Sequence, residues 1–208
     1  MSSKDYFEKI AGAWDEMRQG FFPESVRDAA YKAAGVRHGQ TAADIGAGTG
    51  FITEGLVHRG VKVLAVDQSP AMLERMREKF GSNGEVEYLT GESSNIPVTN
   101  DIVDAIFANM YLHHVESPVD AIKEMVRILK PGGILVITDL DTHNYEFLVT
   151  EQHDRWMGFE REDVKAWFKA AGLQDILIDC IGDNCCASSV TTDHEAQVSI
   201  FIATGKKA

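Results

Sequence analysis

Near-continuous runs of valine, isoleucine and leucine alternate with amphipathic stretches along most of this 208-residue chain. Apolar runs of about four to eight residues between turn signals are typical of buried strands, and apolar positions three to four residues apart predict helices. Such strands alternating with helices indicate a doubly wound α/β fold, in which a mostly parallel sheet is covered on both faces. We predict strands at residues 41–46, 61–66, 86–89, 102–108, 133–139, 175–181 and 197–204.

The two ends of the chain depart from this alternation. Residues 1–38 are predicted to form an N-terminal helical cap, in which Phe21-Phe22-Pro23 ends a first helix and a second helix covers residues 24–34. Towards the other end, the last two predicted strands are separated by about fifteen residues without helical periodicity. We therefore expect these two strands to pair antiparallel as a long hairpin.

The length and composition predict a single domain. A chain with 44% hydrophobic and 25% charged residues and no linker or repeat can bury one good core. Residues 139–159 form a long connection between a strand and a helix, and connections of that length often carry function.

Residues 41–51 are the stretch with the most specific chemistry. They read as a buried strand, a glycine loop and the start of a helix, with Gly46, Gly48 and Gly50 alternating so that backbone can approach a ligand. The spacing differs from the dinucleotide fingerprint, because Phe51 stands where that motif ends in glycine or alanine. Asp44, two residues before the first glycine, suits a ligand with a positively charged part. The loop therefore favours S-adenosylmethionine over NAD and argues against a nicotinamide dehydrogenase.

Polar residues also follow the next three predicted strands. Ligands of open α/β sheets bind at the carboxyl ends of the strands. Asp67 ends the second strand, at a distance from the loop that is typical of an acid binding ribose hydroxyls. Glu92 and Ser93 follow the third strand, where they can meet an adenine edge, and Asn109 ends the fourth strand near the middle of the ligand.

These motifs resemble those of the class I S-adenosylmethionine-dependent methyltransferases. The resemblance is carried by residues 44–50, 66–73, 91–93, 112–115 and 127–133. The chain is most similar to the small-molecule branch that contains quinone-biosynthesis and arsenite methyltransferases. Tyr6-Phe7 and Trp14-Asp15 are similar to that branch's N-terminal helix, which in the family closes over cofactor and substrate.

The resemblance implies a seven-stranded sheet of order 3-2-1-4-5-7-6 with an antiparallel strand seven. It implies a cofactor-binding half at residues 41–139 and a substrate-side half with the C-terminal hairpin at residues 140–208. Glu92 stands where the family more often has aspartate, so its reach to adenine is one methylene longer. The implied cofactor-binding residues are Asp44, Gly46, Ala47, Gly48, Thr49, Gly50, Asp67, Gln68, Met72, Glu92, Ser93 and Asn109.

No residue type is indispensable for catalysis in such an enzyme. Methyl transfer from a sulfonium requires alignment of donor and acceptor, and a general base only where the nucleophile is a weak acid. His113 and His114 follow the fourth strand and are candidates for a base; the alternative is a framework role in packing and capping the next helix. The residues predicted to contact the substrate are Tyr6, Trp14, Tyr111, His114, Asp139, His143 and Trp156, although aromatic residues at helical spacing also suit the core.

Three cysteines, two of them adjacent, do not form a disulfide framework. Cys185 and Cys186 could bind thiophilic ions such as arsenic(III), mercury or zinc, or serve as small buried hydrophobic residues. The acidic and histidine side chains at 139–154 lack a recognisable metal spacing, so we predict no metal site there.

The net negative charge of the chain limits the partners that it is expected to bind. A net charge of −12 and a pI near 5.0 argue against a nucleic-acid substrate, and no apolar run approaches the length of a membrane span. We expect a cytoplasmic protein with a small-molecule substrate, and the sequence does not distinguish a monomer from a homodimer. Two alternatives stay open: a methyltransferase for protein or nucleic acid, and a cofactor-binding regulatory or scaffolding module without turnover.

Overall fold

A computed structural model describes residues 3–81 and 84–208 of the chain. Its strands are β1 (Thr41–Ile45), β2 (Lys62–Asp67), β3 (Val86–Thr90), β4 (Val103–Asn109), β5 (Leu129–Leu140), β6 (Leu173–Ser188) and β7 (Glu195–Lys207). They form one sheet of order β3-β2-β1-β4-β5-β7-β6, in which β7 runs antiparallel to both neighbours and the other pairs are parallel. The predicted fold class and strand order are confirmed.

Helices cover both faces of this sheet. They are α1 (Ser3–Ile10), α2 (Trp14–Phe21), α3 (Ser25–Ala34), α4 (Phe51–His58), α5 (Pro70–Phe80), α6 (Pro118–Ile128), α7 (Glu146–Glu151) and α8 (Arg161–Ala170), with a short 3-10 turn at Leu112–His114. Ser69 and Ser117 cap α5 and α6, because each side chain accepts a hydrogen bond from the backbone amide three residues further on, and a proline follows each serine.

Adjacent residues on the central strands serve opposite faces of the sheet, as strand geometry requires. Ile106 packs with α6 and α8 on one face, and Phe107 packs with α3, α4 and α5 on the other. A third cluster lies where the N-terminal helices meet the hairpin and includes Phe22, Leu140 and Ile200. This cluster holds the cap against the edge of the sheet at which the ligand is expected.

Several element boundaries differ from the predictions. The first helix breaks at residues 11–13, so α1 and α2 are separate, because Gly12 interrupts the periodicity. β6 extends to Ser188, which leaves six residues between the last two strands instead of about fifteen. The extension alternates buried Cys185 and Ala187 with exposed neighbours, and residues this small gave no strand signal. Residues 1 and 2 of the predicted cap lie outside the described residues.

The long connection after β5 contains one short helix, α7, before α8 begins. None of the helices in the described ranges has the length and apolar character needed to cross a bilayer. Met110, directly after β4, has φ +49. This left-handed backbone is uncommon for a residue with a side chain and is found at functional sites.

Candidate cofactor and acceptor site

The glycine loop turns sharply between β1 and α4. Gly46, Gly48 and Gly50 have φ angles of +70°, +54° and +98°, a backbone region that glycine enters at little cost. The amides of Gly46 and Ala47 donate to the carbonyl of Val66 at 2.9 and 3.1 Å, which ties the loop to β2. The loop is thereby fixed at the carboxyl edge of the sheet.

Two carboxylates flank this loop. Asp44 is 2% exposed, and its Oδ2 accepts hydrogen bonds from the amide and hydroxyl of Thr53 at 3.0 and 2.7 Å. Asp67 accepts from the amides of Gly48 and Ser69, both at 2.8 Å. Burial raises the pKa of Asp44 to about 7 and also raises the pKa of Asp67. A cationic ligand would favour the ionised form of both groups.

A cavity of about 670 Å³, partly open to solvent, lies over the loop. Nine of the twelve predicted cofactor residues line it: Asp44, Gly46, Ala47, Gly48, Thr49, Asp67, Gln68, Met72 and Asn109. Gly50 lies behind the cavity, where an added Cβ would come within 2.6 Å of the Phe80 ring. Glu92 and Ser93 line a neighbouring cavity instead.

The ring of Tyr111 separates these two cavities and lines both. A Cβ added at Gly46 would lie 2.1 Å from Cδ2 of Tyr111, so the ring rests directly on the loop. The Tyr111 side chain also hydrogen-bonds that of Ser93. Tyr111 was predicted to contact the substrate, and its position on the glycine loop places it in the cofactor cavity.

Arg18 in α2 is a cavity residue that the sequence analysis missed. It is buried, lines the cavity, and its guanidinium lies 4.2 Å from the centroid of the Phe51 ring. Arg18 also donates to Glu24 at 3.0 Å. The signal was present in the sequence, because Arg18 is four residues after Trp14 and shares its helix face.

The donor set fits S-adenosylmethionine. Two carboxylates and one guanidinium in a single cavity complement a ligand that carries cationic groups and a carboxylate, and the side-chain-free loop admits close backbone contact. These features belong to the chain's own residues and agree with the cofactor predicted from the sequence.

The N-terminal cap is fastened over the loop by polar contacts. Asp15 accepts from the Thr49 hydroxyl at 2.6 Å and pairs with Lys79 at 2.5 Å. Ser69, the cap of α5, donates to Glu8 at 2.5 Å. Trp14 covers the loop, since a Cβ added at Gly48 would lie 3.5 Å from its indole nitrogen. The cap therefore covers part of the cavity.

A second, mainly apolar cavity adjoins the first. Both are lined by Phe7, Trp14, Phe22, Met110 and His114. The remaining residues of the second cavity are Tyr6, Phe21, His113, Leu140, Leu148, Gln152, Asp154, Cys185 and Ala187. Because it shares a wall with the cofactor cavity, it is the candidate acceptor cavity, and we call it the acceptor cavity below. Tyr6, Trp14 and His114, predicted substrate residues, are among its lining.

The polar end of the acceptor cavity is built from two adjacent histidines and two aspartates. His113 Nδ1 lies 2.6 Å from Asp139 Oδ1, and Asp139 also accepts from the amides of Leu112 and Leu140 at 2.7 and 2.8 Å. Asp154 Oδ1 lies 3.8 Å from His113 Nε2 and 3.7 Å from His114 Nδ1. Asp139 is fully buried behind His113, so it supports the cavity wall without lining it.

Electrostatics separate the two histidines. Burial acts to lower the pKa of His113, but the negative charges of Asp139 and Asp154 outweigh it and raise that pKa to about 9. Burial and the neighbouring His113 lower the pKa of His114 well below its usual range. His114 Nδ1 is buried and has no hydrogen-bond partner. The cavity therefore contains a neutral imidazole whose Nδ1 is free to bind a ligand.

Two predicted substrate residues lie away from both cavities. Trp156 is 41% exposed, and its indole nitrogen donates to the carbonyl of Val115 at 2.9 Å. His143 accepts from the amide of Tyr145 at 3.2 Å. Neither residue lines the cofactor or the acceptor cavity, so the structure does not join them to the rest of the predicted set.

The adjacent cysteines do not face the same side of β6. Cys185 is buried in the acceptor cavity, and burial raises the pKa of its thiol to about 12. Cys186 is exposed, because successive side chains on a strand point to opposite faces. The pair therefore does not form the two-thiol ligand set that the sequence suggested as a candidate metal site.

Comparison with known proteins identifies a methyltransferase family and similar methyltransferases. Residues 43–137 match a family described as methyltransferase domain. The chain is 34% identical over 167 residues to 2-methyl-6-phytyl-1,4-hydroquinone methyltransferase 1, chloroplastic, of Oryza sativa subsp. japonica, which covers 78% of this chain and 50% of the rice protein. The chain spans about half the length of the curated relatives it matches.

Two solved structures share the fold over nearly the whole chain. The methyltransferase in a complex with the Haloferax volcanii Trm112 methyltransferase activator has a TM-score of 0.76 at 19% identity and covers 96% of both chains. The cyclase SpnF has a TM-score of 0.77 at 16% identity and covers 100% of this chain and 97% of its own. At these identities the likeness concerns the fold alone.

A glycine loop between β1 and α4, at the carboxyl edge of a sheet with this strand order, defines the class I S-adenosylmethionine-dependent methyltransferases. The chain belongs to this class. The match to the methyltransferase-domain family confirms the class and the cofactor that the sequence predicted.

Proposed function

We propose that this chain transfers the methyl group of S-adenosylmethionine to a small aromatic compound that bears hydroxyl groups. The observation that carries the proposal is the pair of adjoining cavities, one suited to the cofactor and the other walled by aromatic side chains with a polar end. The rice hydroquinone methyltransferase supports an acceptor of this kind.

Different residues around the loop would bind different parts of the cofactor. Asp67 would accept from the ribose hydroxyls, and Asp44 would favour the cationic methionine part. Arg18 would pair with the methionine carboxylate, since a guanidinium binds carboxylates through charge-assisted hydrogen bonds. When bound, the cofactor supplies an electrophilic methyl group on a sulfonium. Glu92 and Ser93 would reach the adenine only from across Tyr111.

The acceptor cavity would orient the second substrate and keep out water. Phe7 packs edge-on against Trp14 and His114, with ring centroids 5.3 and 5.0 Å apart. His114 is a neutral imidazole whose Nδ1 has no partner, so Nδ1 can form a hydrogen bond with an acceptor hydroxyl. The apolar rings would hold the aromatic body of the acceptor while the polar end fixes its hydroxyl group.

The proposal is tested first by calorimetry and then by turnover. S-adenosylhomocysteine is expected to bind with one-to-one stoichiometry, and NAD is expected not to bind. Release of S-adenosylhomocysteine is then followed with methyl-substituted hydroquinones, thiols, amines, arsenite, protein and RNA. Turnover with the hydroquinones supports the proposal. Cofactor binding with silence across the panel would favour a module without turnover, and turnover only with protein or RNA would identify a macromolecular methyltransferase.

Arg18→Gln is expected to weaken S-adenosylhomocysteine binding about 30-fold, because a charge-assisted hydrogen bond contributes about 2 kcal/mol. Isothermal titration calorimetry measures the loss. Arg18→Lys, which keeps the charge, should recover part of it, and Arg37→Gln on the exposed surface serves as the control. Equal affinities for Arg18→Gln and the wild type would remove Arg18 from the cofactor site.

Cofactor affinity should rise severalfold between pH 5.5 and 7. Asp44 has a pKa of about 7 in the free protein, so it is mostly protonated at the lower pH. A cationic ligand binds the ionised form better, and affinity therefore increases as pH rises towards that pKa. The neighbouring Asp67, whose pKa is also raised, would add to the same trend. Calorimetric titrations with S-adenosylhomocysteine at both pH values measure the change in affinity. A smaller pH dependence in Asp44→Asn supports the assignment, and an unchanged one contradicts it.

A further inference from the structure

Three ligand-type atoms converge on one point at the polar end of the acceptor cavity. His113, His114 and Asp154 each offer a ligand atom, and these atoms all lie within 4.8 Å of one another. Asp154 Oδ1 lies 3.8 Å from His113 Nε2 and 3.7 Å from His114 Nδ1, and both distances are too long for hydrogen bonds. Around a tetrahedral Zn²⁺, ligand atoms are about 3.3 Å apart. Movements of a few tenths of an ångström would bring Asp154 to that spacing from each histidine.

A second observation points to a missing ligand. His114 Nδ1 is buried without a hydrogen-bond partner, whereas buried polar atoms are nearly always partnered. This unpartnered nitrogen faces Asp154, whose Oδ1 lies 3.7 Å away.

The surroundings of His113 have the arrangement found behind metal ligands. Metal-binding histidines usually donate their other ring N–H to a carboxylate that fixes orientation and tautomer. Asp139 takes this position at 2.6 Å from His113 Nδ1, and backbone amides of Leu112 and Leu140 hold its carboxylate in place. His113 Nε2 is thus directed towards Asp154 and His114.

We propose that His113, His114 and Asp154 bind a divalent transition-metal ion of the Zn²⁺ type, with a further coordination position open to the acceptor cavity. Two imidazole nitrogens and a carboxylate suit borderline ions such as Zn²⁺, and three protein ligands with an open position are typical of catalytic zinc sites. The ion would anchor a hydroxyl oxygen of the acceptor. Only this anchoring role rests on the proposed function; metal binding itself does not.

The test uses metal-stripped full-length protein in a Cys180→Ser/Cys186→Ser background, which removes both exposed thiols. Zn²⁺ binding is measured by calorimetry, and Co²⁺ binding by its visible absorption bands. One equivalent of either ion is expected to bind. Asp154→Asn and His114→Gln should each weaken the affinity at least tenfold, whereas His194→Gln on the exposed hairpin should leave it unchanged.

Thermal unfolding and S-adenosylhomocysteine binding are measured for every variant, so that loss of metal is separated from loss of fold. Saturable binding that disappears in Asp154→Asn and His114→Gln while both remain folded supports the site. Absence of saturable binding, or binding unaffected by these substitutions, would overturn it. Metal binding without hydroquinone turnover would support the site and count against the proposed function alone.

Discussion

Asp67→Ala is expected to weaken the binding of S-adenosylhomocysteine about 100-fold. The Asp67 carboxylate lies in the cofactor cavity and orders the glycine loop by accepting from Gly48. Two charge-assisted hydrogen bonds to ribose hydroxyls contribute about 3 kcal/mol together, which corresponds to about two orders of magnitude in affinity. Calorimetry on wild type and variant measures the difference.

A matched control separates this effect from a general change of charge. Asp28→Ala removes an acid from α3 whose side chain is 68% exposed and which lies outside the cofactor cavity. Its affinity should equal that of the wild type. Retention of wild-type affinity in Asp67→Ala, with an unchanged melting temperature, would contradict the assignment of Asp67 to the ribose.

The cofactor half of the site was predictable because its residues follow local rules. A glycine loop and an acid at the end of the next strand are fixed by short-range geometry, and parallel strands bring their carboxyl ends to one edge. Asp44, Gly46 and Asp67 are accordingly found in one cavity. Glu92 and Ser93 are exceptions, because the ring of Tyr111 stands between the turn after β3 and the loop. No pattern in the sequence shows where that ring lies.

The acceptor half depends on contacts between distant parts of the chain. Asp154 reaches His113 because the amides of Arg155 and Trp156 both donate to the carbonyl of His113, at 3.0 and 3.1 Å. His153 adopts φ +61 in the turn that makes this possible. Such a turn has no hydrophobic periodicity. The sequence therefore shows that the turn contains polar residues but does not predict where they lie in the fold.

The fold alone does not determine the reaction, and these contacts between distant parts of the chain shape the cavity in which it would occur. SpnF has the same architecture over 97% of its length, yet it is named as a cyclase and not as a methyltransferase. This agrees with the rule that function resides in sites placed on folds. In this chain the cap, the connection after β5 and the hairpin meet around the acceptor cavity. Experiments on the acceptor cavity, more than on the glycine loop, will distinguish the reaction of this protein from the reactions of proteins that share its fold.

Gly158→Ala is expected to destabilise the fold by about 3 kcal/mol or more. Gly158 has φ +70, and an added Cβ would lie 2.1 Å from the carbonyl oxygen of Asp141, a backbone atom that has no rotamer to change. The left-handed conformation alone costs an alanine about 1 kcal/mol, and relief of the collision requires the two chain segments to separate. For a chain of this length the melting temperature should fall by roughly 6–12 °C.

Gly172→Ala isolates the collision from the backbone strain. Gly172 also has a positive φ, +87, but an added Cβ would meet nothing within 4 Å. It should lose only about 1 kcal/mol. The crossing at Gly158 is where the connection after β5 returns to the sheet, since Phe159 donates to Leu140 at 2.9 Å and Arg161 pairs with both oxygens of Asp141. Equal melting temperatures for the two variants would mean that this crossing is not close-packed in solution. A clear gap would mean that the connection bearing Asp154 is held rigidly against the sheet, as a pre-organised acceptor cavity requires.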